Sequence, residues 1–230
     1  MQLPYPSFTP IQSEPHALKN NLLLVLMGLC ALALLGVSIY VTYLAFTEDW
    51  RIAFPAIIIT GLLVVMVWGA YRSWQKGYTE IRVDKDGLHF NNTRTGKLVQ
   101  TIKWSDIAHE PGPYAHDVFI QQRSKSMPRL AWKMKGRPAG RNLCTNSFLG
   151  SSLGSIYYTN RYEVMARFLL GLRHFRPDIT VSPAVFSHFS IDHQAYTFDA
   201  SKHWKQEVLG YAMVVVVIVI IYLVVETCHR

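Results

Sequence analysis

Gly150-Ser151-Ser152-Leu153-Gly154 has the G-x-S-x-G spacing of a serine nucleophile elbow. Such an elbow works because a strained strand-to-helix turn lifts the serine hydroxyl out of an α/β sheet, within reach of a histidine and an acid. Here helical periodicity does not begin until about Asn160, and the flanking segments alternate like strands. A loop is expected, and Ser152 is not expected to be a nucleophile. His188, His193 and His203 are the other residues with possible chemistry, but their spacings match no metal template. No P-loop, dinucleotide fingerprint or Cys/His cluster occurs. The sequence therefore assigns no catalytic residue, no metal and no cofactor, and an enzyme is not expected.

Charge is the stronger signal. Between Gln121 and Arg176 stand eleven basic residues and one acid, Glu163, a net +10 against +8 for the whole chain. The candidate binding residues are Arg123, Lys125, Arg129, Lys133, Lys135, Arg137 and Arg141. Along 129–135, strand alternation groups Arg129, Lys133 and Lys135 on one face with Ala131, and Leu130, Trp132 and Met134 on the other. Cations so arrayed suit anionic lipid headgroups, where each surface-proximal Lys or Arg gains about 1 kcal/mol. The plainer reading is a solvated face that also enforces membrane topology. Nucleic acid is not expected as a partner, because aromatic interleaving is confined to Trp132.

These residues must be positioned by a chain with three long apolar runs. Residues 22–47 and 52–71 carry no charge and flank Glu48-Asp49-Trp50-Arg51; the third run is 208–225. About 20 apolar residues cross roughly 30 Å of hydrocarbon. Three transmembrane helices are expected, the first two forming a hairpin over 21–71. Arg72, Lys76, Arg82 and Lys85 follow the second run, and Lys202 and Lys205 precede the third. The positive-inside bias then makes residues 1–20 a cytoplasmic tail, keeps the middle of the chain cytoplasmic, and puts 226–230 outside. Cys30, Cys144 and Cys228 fall in different environments, so no disulfide is expected. The runs hold Ser38, Thr42 and Thr60 but no ionisable residue other than tyrosine and Cys30, which favours helix packing over ion passage.

The polar middle changes period. Ile81 and Val83, Leu88 and Phe90, and Leu98, Ile102 and Trp104 alternate around turns at Asp86-Gly87 and Thr95-Gly96, an antiparallel meander. Further strands are expected at 114–121, 129–135 and 143–148. Tyr162, Val164, Met165, Phe168, Leu169, Leu172 and Phe175 then recur at helical spacing, with Asn160 and Glu163 placed for a capping box and Pro177 as a stop.

Ile81-Arg82-Val83-Asp84-Lys85-Asp86-Gly87-Leu88, followed by Thr101-Ile102-Lys103-Trp104-Ser105-Asp106-Ile107, resembles the opening of bacterial pleckstrin-homology-like domains of membrane proteins. The resemblance spans roughly 76–177. It implies a small, partly open barrel of about seven strands capped by a helix, often beside two amino-terminal spans. The third span and residues 178–207 depart from that arrangement. Segment 178–207 is too apolar for a free linker and is expected to add strands, lie on the membrane surface or meet a partner.

The fold class that follows is an α+β membrane protein: three transmembrane helices and a cytoplasmic PH-like antiparallel β-barrel capped by an amphipathic helix. The expected role is a scaffold, accessory subunit or regulator in a bacterial inner (plasma) membrane. Its expected partners are anionic lipids and other membrane proteins, or copies of itself through the spans. Two alternatives are a component of a membrane enzyme or transporter with a shared site, and a membrane-tethered immunity or defence factor.

Overall fold

In the computed structural model the described residues are 5–47, 53–109, 116–122, 128–136, 142–201 and 203–204. Two helices, α1 (Ala17–Thr47) and α2 (Ala53–Lys76), are long and apolar enough to cross a membrane. They pack on one another, and the hydroxyls of Ser38 and Thr60 meet at 2.7 Å. Ser38 and Thr60 thus join helix to helix, whereas Thr42 donates within α1 to the Ser38 carbonyl. Both helices overrun the apolar stretches, α1 starting at Ala17 and α2 continuing to Lys76. The expected third span, 208–225, and the tail 226–230 lie outside the described residues.

The rest is built on two antiparallel sheets. The first has the order β1 (Ile11–Gln12), β2 (Glu80–Val83), β3 (Gly87–Asn92), β4 (Lys97–Lys103). The second comprises β5 (Val118–Gln121), β6 (Arg129–Lys133) and β7 (Leu143–Asn146). The expected partly open barrel is not shown: the strands lie in two separate sheets, and no barrel is closed among the described residues. Among those residues the bridge from Ile107 to Met134 links the sheets, flanked by bonds from the Ala108 N–H to the Lys133 carbonyl and from the Lys135 N–H to the Asp106 carbonyl. Bulk keeps the remainder apart: helix α3 (Arg161–Phe175) carries Phe168 between the two layers, 5.6 Å from the Trp104 ring and 5.0 Å from that of Trp132.

The motifs behind the resemblance have local physical roles. Asp84 Oδ1 accepts the N–H groups of Asp86 and Gly87, closing the turn. Gly87 has φ +151°, and a Cβ there would stand 2.1 Å from the Ile102 carbonyl oxygen. Trp104 donates its indole N–H to the Asp84 carbonyl, and Asp106 accepts the Lys103 N–H at a short 3-10 turn.

Two expectations need correcting. Asn160 does not cap α3 with its side chain; its amide donates to the Gln12 carbonyl and accepts the Glu14 N–H. Nor are residues 5–20 a free tail. They supply edge strand β1, and Phe8 lies over Gly171, 5.1 Å from the Phe175 ring. Segment 178–201 folds back onto the domain: Val181 bridges Val118, and a short helix α4 (Pro183–His188) leads to Phe189 and Ile191 in the core.

Candidate functional site

The junction between the apolar helices and the domain holds the buried polar residues Asn20, Asn92, Ser152 and Ser155. Asn20, in the second turn of α1, is 2 % exposed. It donates to the Tyr157 carbonyl at 2.9 Å and accepts the N–H groups of Ile156 and Tyr157. Asn92, 1 % exposed at the end of β3, does the same for α2. It donates to the carbonyls of Gly77 at 2.6 Å and Trp74 at 3.1 Å, and accepts the N–H groups of Arg94 and Thr95. A helix end leaves its last carbonyls unsatisfied, and this one amide both terminates α2 and shapes the β3–β4 turn.

The G-x-S-x-G run is part of the same junction. The N–H groups of Ser151 and Ser152 donate to the Tyr78 carbonyl, and the Tyr78 N–H donates to Ser151 Oγ. Ser73 Oγ donates to the Ser151 carbonyl and accepts the Leu153 N–H. Ser152 is 0 % exposed, with no strand-to-helix elbow around it. The loop is a clasp on α2. Arg94 tightens it, donating to the Leu153 carbonyl at 3.0 Å with its guanidinium 4.0 Å from the Trp74 ring centroid.

Beside the clasp is a cavity of about 740 Å³ between the start of α1, residues 157–162 and the pair Phe198 and His203. Its polar wall includes His16, Lys19, Tyr158, Thr159, Arg161 and His203; its apolar wall includes Leu22, Leu23, Leu26 and Phe198. Burial pushes the Tyr158 phenol well above its ordinary range, and desolvation lowers the pKa of Arg161. Tyr162 stacks on Phe198 with centroids 4.8 Å apart and holds His203 at 4.4 Å.

Of the seven candidate basic residues, the structure describes Arg129, Lys133 and Lys135. Arg123, Lys125, Arg137 and Arg141 lie outside the described residues. Arg129 and Lys135 are exposed, but Lys133 is buried at 7 % because both faces of β6 are covered at that point. Six residues of strand put Arg129 and Lys135 about 20 Å apart. Arg129 is within electrostatic reach of Tyr78 at the foot of α2, whereas the Lys135 N–H meets Asp106 at the other end. Three more of the eleven cations serve the fold. Arg176 donates to the carbonyls of Trp104 and Ile107 and to Asp178, Arg173 lies over the Tyr5 ring, and Arg161 donates Nε to the Ser147 carbonyl.

His188 and His193 do not meet in a metal site, and no group of three or more His, Cys, Asp or Glu residues converges among the described residues. Sequence reasoning missed Asn20 and Asn92. Asn92 stands in Asn92-Thr93-Arg94-Thr95-Gly96, a turn signal; nothing in the sequence marks Asn20 except a polar residue at the edge of an apolar run. No family model, curated protein or solved structure matches the chain.

Proposed function

We propose that this chain is a non-enzymatic, membrane-anchored binding module of a bacterial inner membrane, whose PH-like domain is held against the headgroup layer as a scaffold, accessory subunit or regulator of a membrane complex. The observation that carries this reading is the double clasp. Asn20 and Asn92 hydrogen-bond the ends of two apolar helices into one domain, so the domain is fixed relative to α1 and α2 rather than hanging on a linker. Arg72 and Lys76 at the foot of α2, with Arg82, Lys85, Arg94 and Arg129 in the domain, favour an anionic cytoplasmic leaflet on that side. In this reading the clasp sets the pose of the domain, and the exposed cations, Arg129 and Lys135 among them, are left for lipid or for an acidic protein partner.

The experiment is purification of the full chain from its membrane with its companions identified by mass. Reversing Arg129 and Lys135 to Glu should deplete the companions, while Ser152→Ala should leave them in place. A reporter fused after Lys135 should register on the cytoplasmic side. Companions indifferent to the charge reversal, or a reporter found outside, would overturn the reading.

A further inference from the structure

The cavity beside the clasp has a polar end and an apolar end in a definite order. Lys19, Leu22, Leu23 and Leu26 occupy positions i, i+3, i+4 and i+7 of α1, one stripe of the helix, and all four line the cavity. The stripe descends about 10 Å from a cation into the apolar run. Arg161, half-buried at the start of α3, lines the same cavity. Its Nε is used by the Ser147 carbonyl and its guanidinium lies 5.0 Å from the Tyr162 ring, but Nη1 and Nη2 have no acceptor among the described residues. A half-buried cation without an anion is costly, and the described residues that line the cavity supply none. Glu14 touches its rim through Thr159, at 3.5 Å from Thr159 Oγ1. His16 accepts the Lys19 N–H at Nδ1, which leaves its proton on Nε2 as a donor.

We infer that this cavity binds one anionic glycerophospholipid, its phosphate between Lys19 and Arg161 and an acyl chain along Leu22, Leu23 and Leu26. A free phosphate would satisfy the cations but leave the leucine wall uncovered, and a zwitterionic lipid would cover the wall but bring a further cation beside Lys19 and Arg161. At about 740 Å³ the space accommodates a headgroup and the upper part of one chain, with the remainder running out along α1. The site rests on the membrane reading only in taking α1 to lie in lipid; it does not require the proposed orientation or any protein partner.

The test is native mass spectrometry of the full chain in detergent, titrated with dioctanoyl phosphatidylglycerol, dioctanoyl phosphatidylcholine and glycerol 3-phosphate in parallel. One phosphatidylglycerol should bind, at least tenfold more tightly than phosphatidylcholine, whose phosphate is the same but whose choline cation is repelled by Lys19 and Arg161. Glycerol 3-phosphate should not displace it at equal concentration. Lys19→Gln with Arg161→Gln should abolish the preference. Leu23→Trp, which keeps every cation but fills the apolar end, should reduce binding by a similar factor with an unchanged melting temperature, so misfolding at Arg161 does not obscure the result. Equal uptake of the two lipids would overturn the inference. So would displacement by glycerol 3-phosphate, binding unaffected by Leu23→Trp, or no lipid on the full chain, the outcome if its own segment 208–225 fills the space. A reporter outside the cell would defeat the proposed function and leave this titration unaffected.

Discussion

At the residue scale, one pair of adjacent side chains shows how unequal similar polar residues are. Asn91 and Asn92 are neighbours, yet Asn91 makes one side-chain bond, to Glu80, while buried Asn92 holds the end of α2 and the following turn. Removing a buried amide strands its partners, at about 1–3 kcal/mol for each unsatisfied group. Asn92→Ala should therefore lower unfolding stability in detergent by about 2–3 kcal/mol, and Asn91→Ala by less than about 1 kcal/mol. Equal losses would show that Asn92 is not a clasp. Carboxylates make a second residue-scale prediction. Burial alone would raise Asp117, but the Thr180 N–H and His109 outweigh it and hold its pKa below the ordinary value. Hydrogen bonding to Arg176 takes Asp178 down to about 2. A pKa depressed by folding contributes stability that is complete above the unfolded value, near 3.9, and is lost as pH falls through the folded one. Melting temperature should hold steady above about pH 5 and fall between about pH 4 and 2. Asp178→Asn should reduce the steepness of that fall, and an unaltered profile would remove Asp178 from the account.

At the element scale, the loop 150–157 does more than connect β7 to α3. It receives α2 through Ser73 and Tyr78 and α1 through Asn20, so both helices are registered on one strip of backbone. The contact depends on Gly77, where a Cβ would fall 2.5 Å from the Ser73 oxygen, 2.6 Å from the Ser151 oxygen and 2.7 Å from Ser152 Cα. All three are backbone atoms and none can swing aside. Gly77→Ala should cost about 2–3 kcal/mol through displacement of the loop. Gly69, one and a half helical turns or more upstream in α2, has nothing within 4 Å of a Cβ, and Gly69→Ala should change stability by less than about 0.5 kcal/mol. Thermal unfolding of the two variants side by side gives the comparison; matching losses would mean that α2 as a whole, not the clasp, resists substitution.

At the scale of the whole molecule, two apolar helices and the domain are locked together mainly by hydrogen bonds between uncharged groups, with the Arg94 guanidinium added at the foot of α2. The consequence concerns function: a domain already fixed to its helices needs no electrostatic attraction to stay at a membrane surface. On the proposed function its exposed cations are left for lipids or partners, and charge reversal at Arg129 and Lys135 should then alter companionship without detaching the protein. The reporter after Lys135 probes the same scale, since orientation belongs to the chain as a whole rather than to any site.

The two apolar helices, the meander around Asp84–Gly87, the three later strands and the apolar face of α3 were legible in sequence, because each expresses a local period: uninterrupted apolar length, alternation by two, or steps of three and four. The loop around Ser152 was legible for the same reason, as no helix follows it directly. Tertiary structure alone decided that residues 5–16 are an edge strand and cover rather than a tail, that Lys133 is buried, that the sheets stay open around Phe168, and that Asn20 and Asn92 clasp the helices. Each of these joins residues far apart in the chain, such as Asn20 with Tyr157. Periodicity reports which face of an element is apolar; it carries no information about which distant backbone supplies the partner.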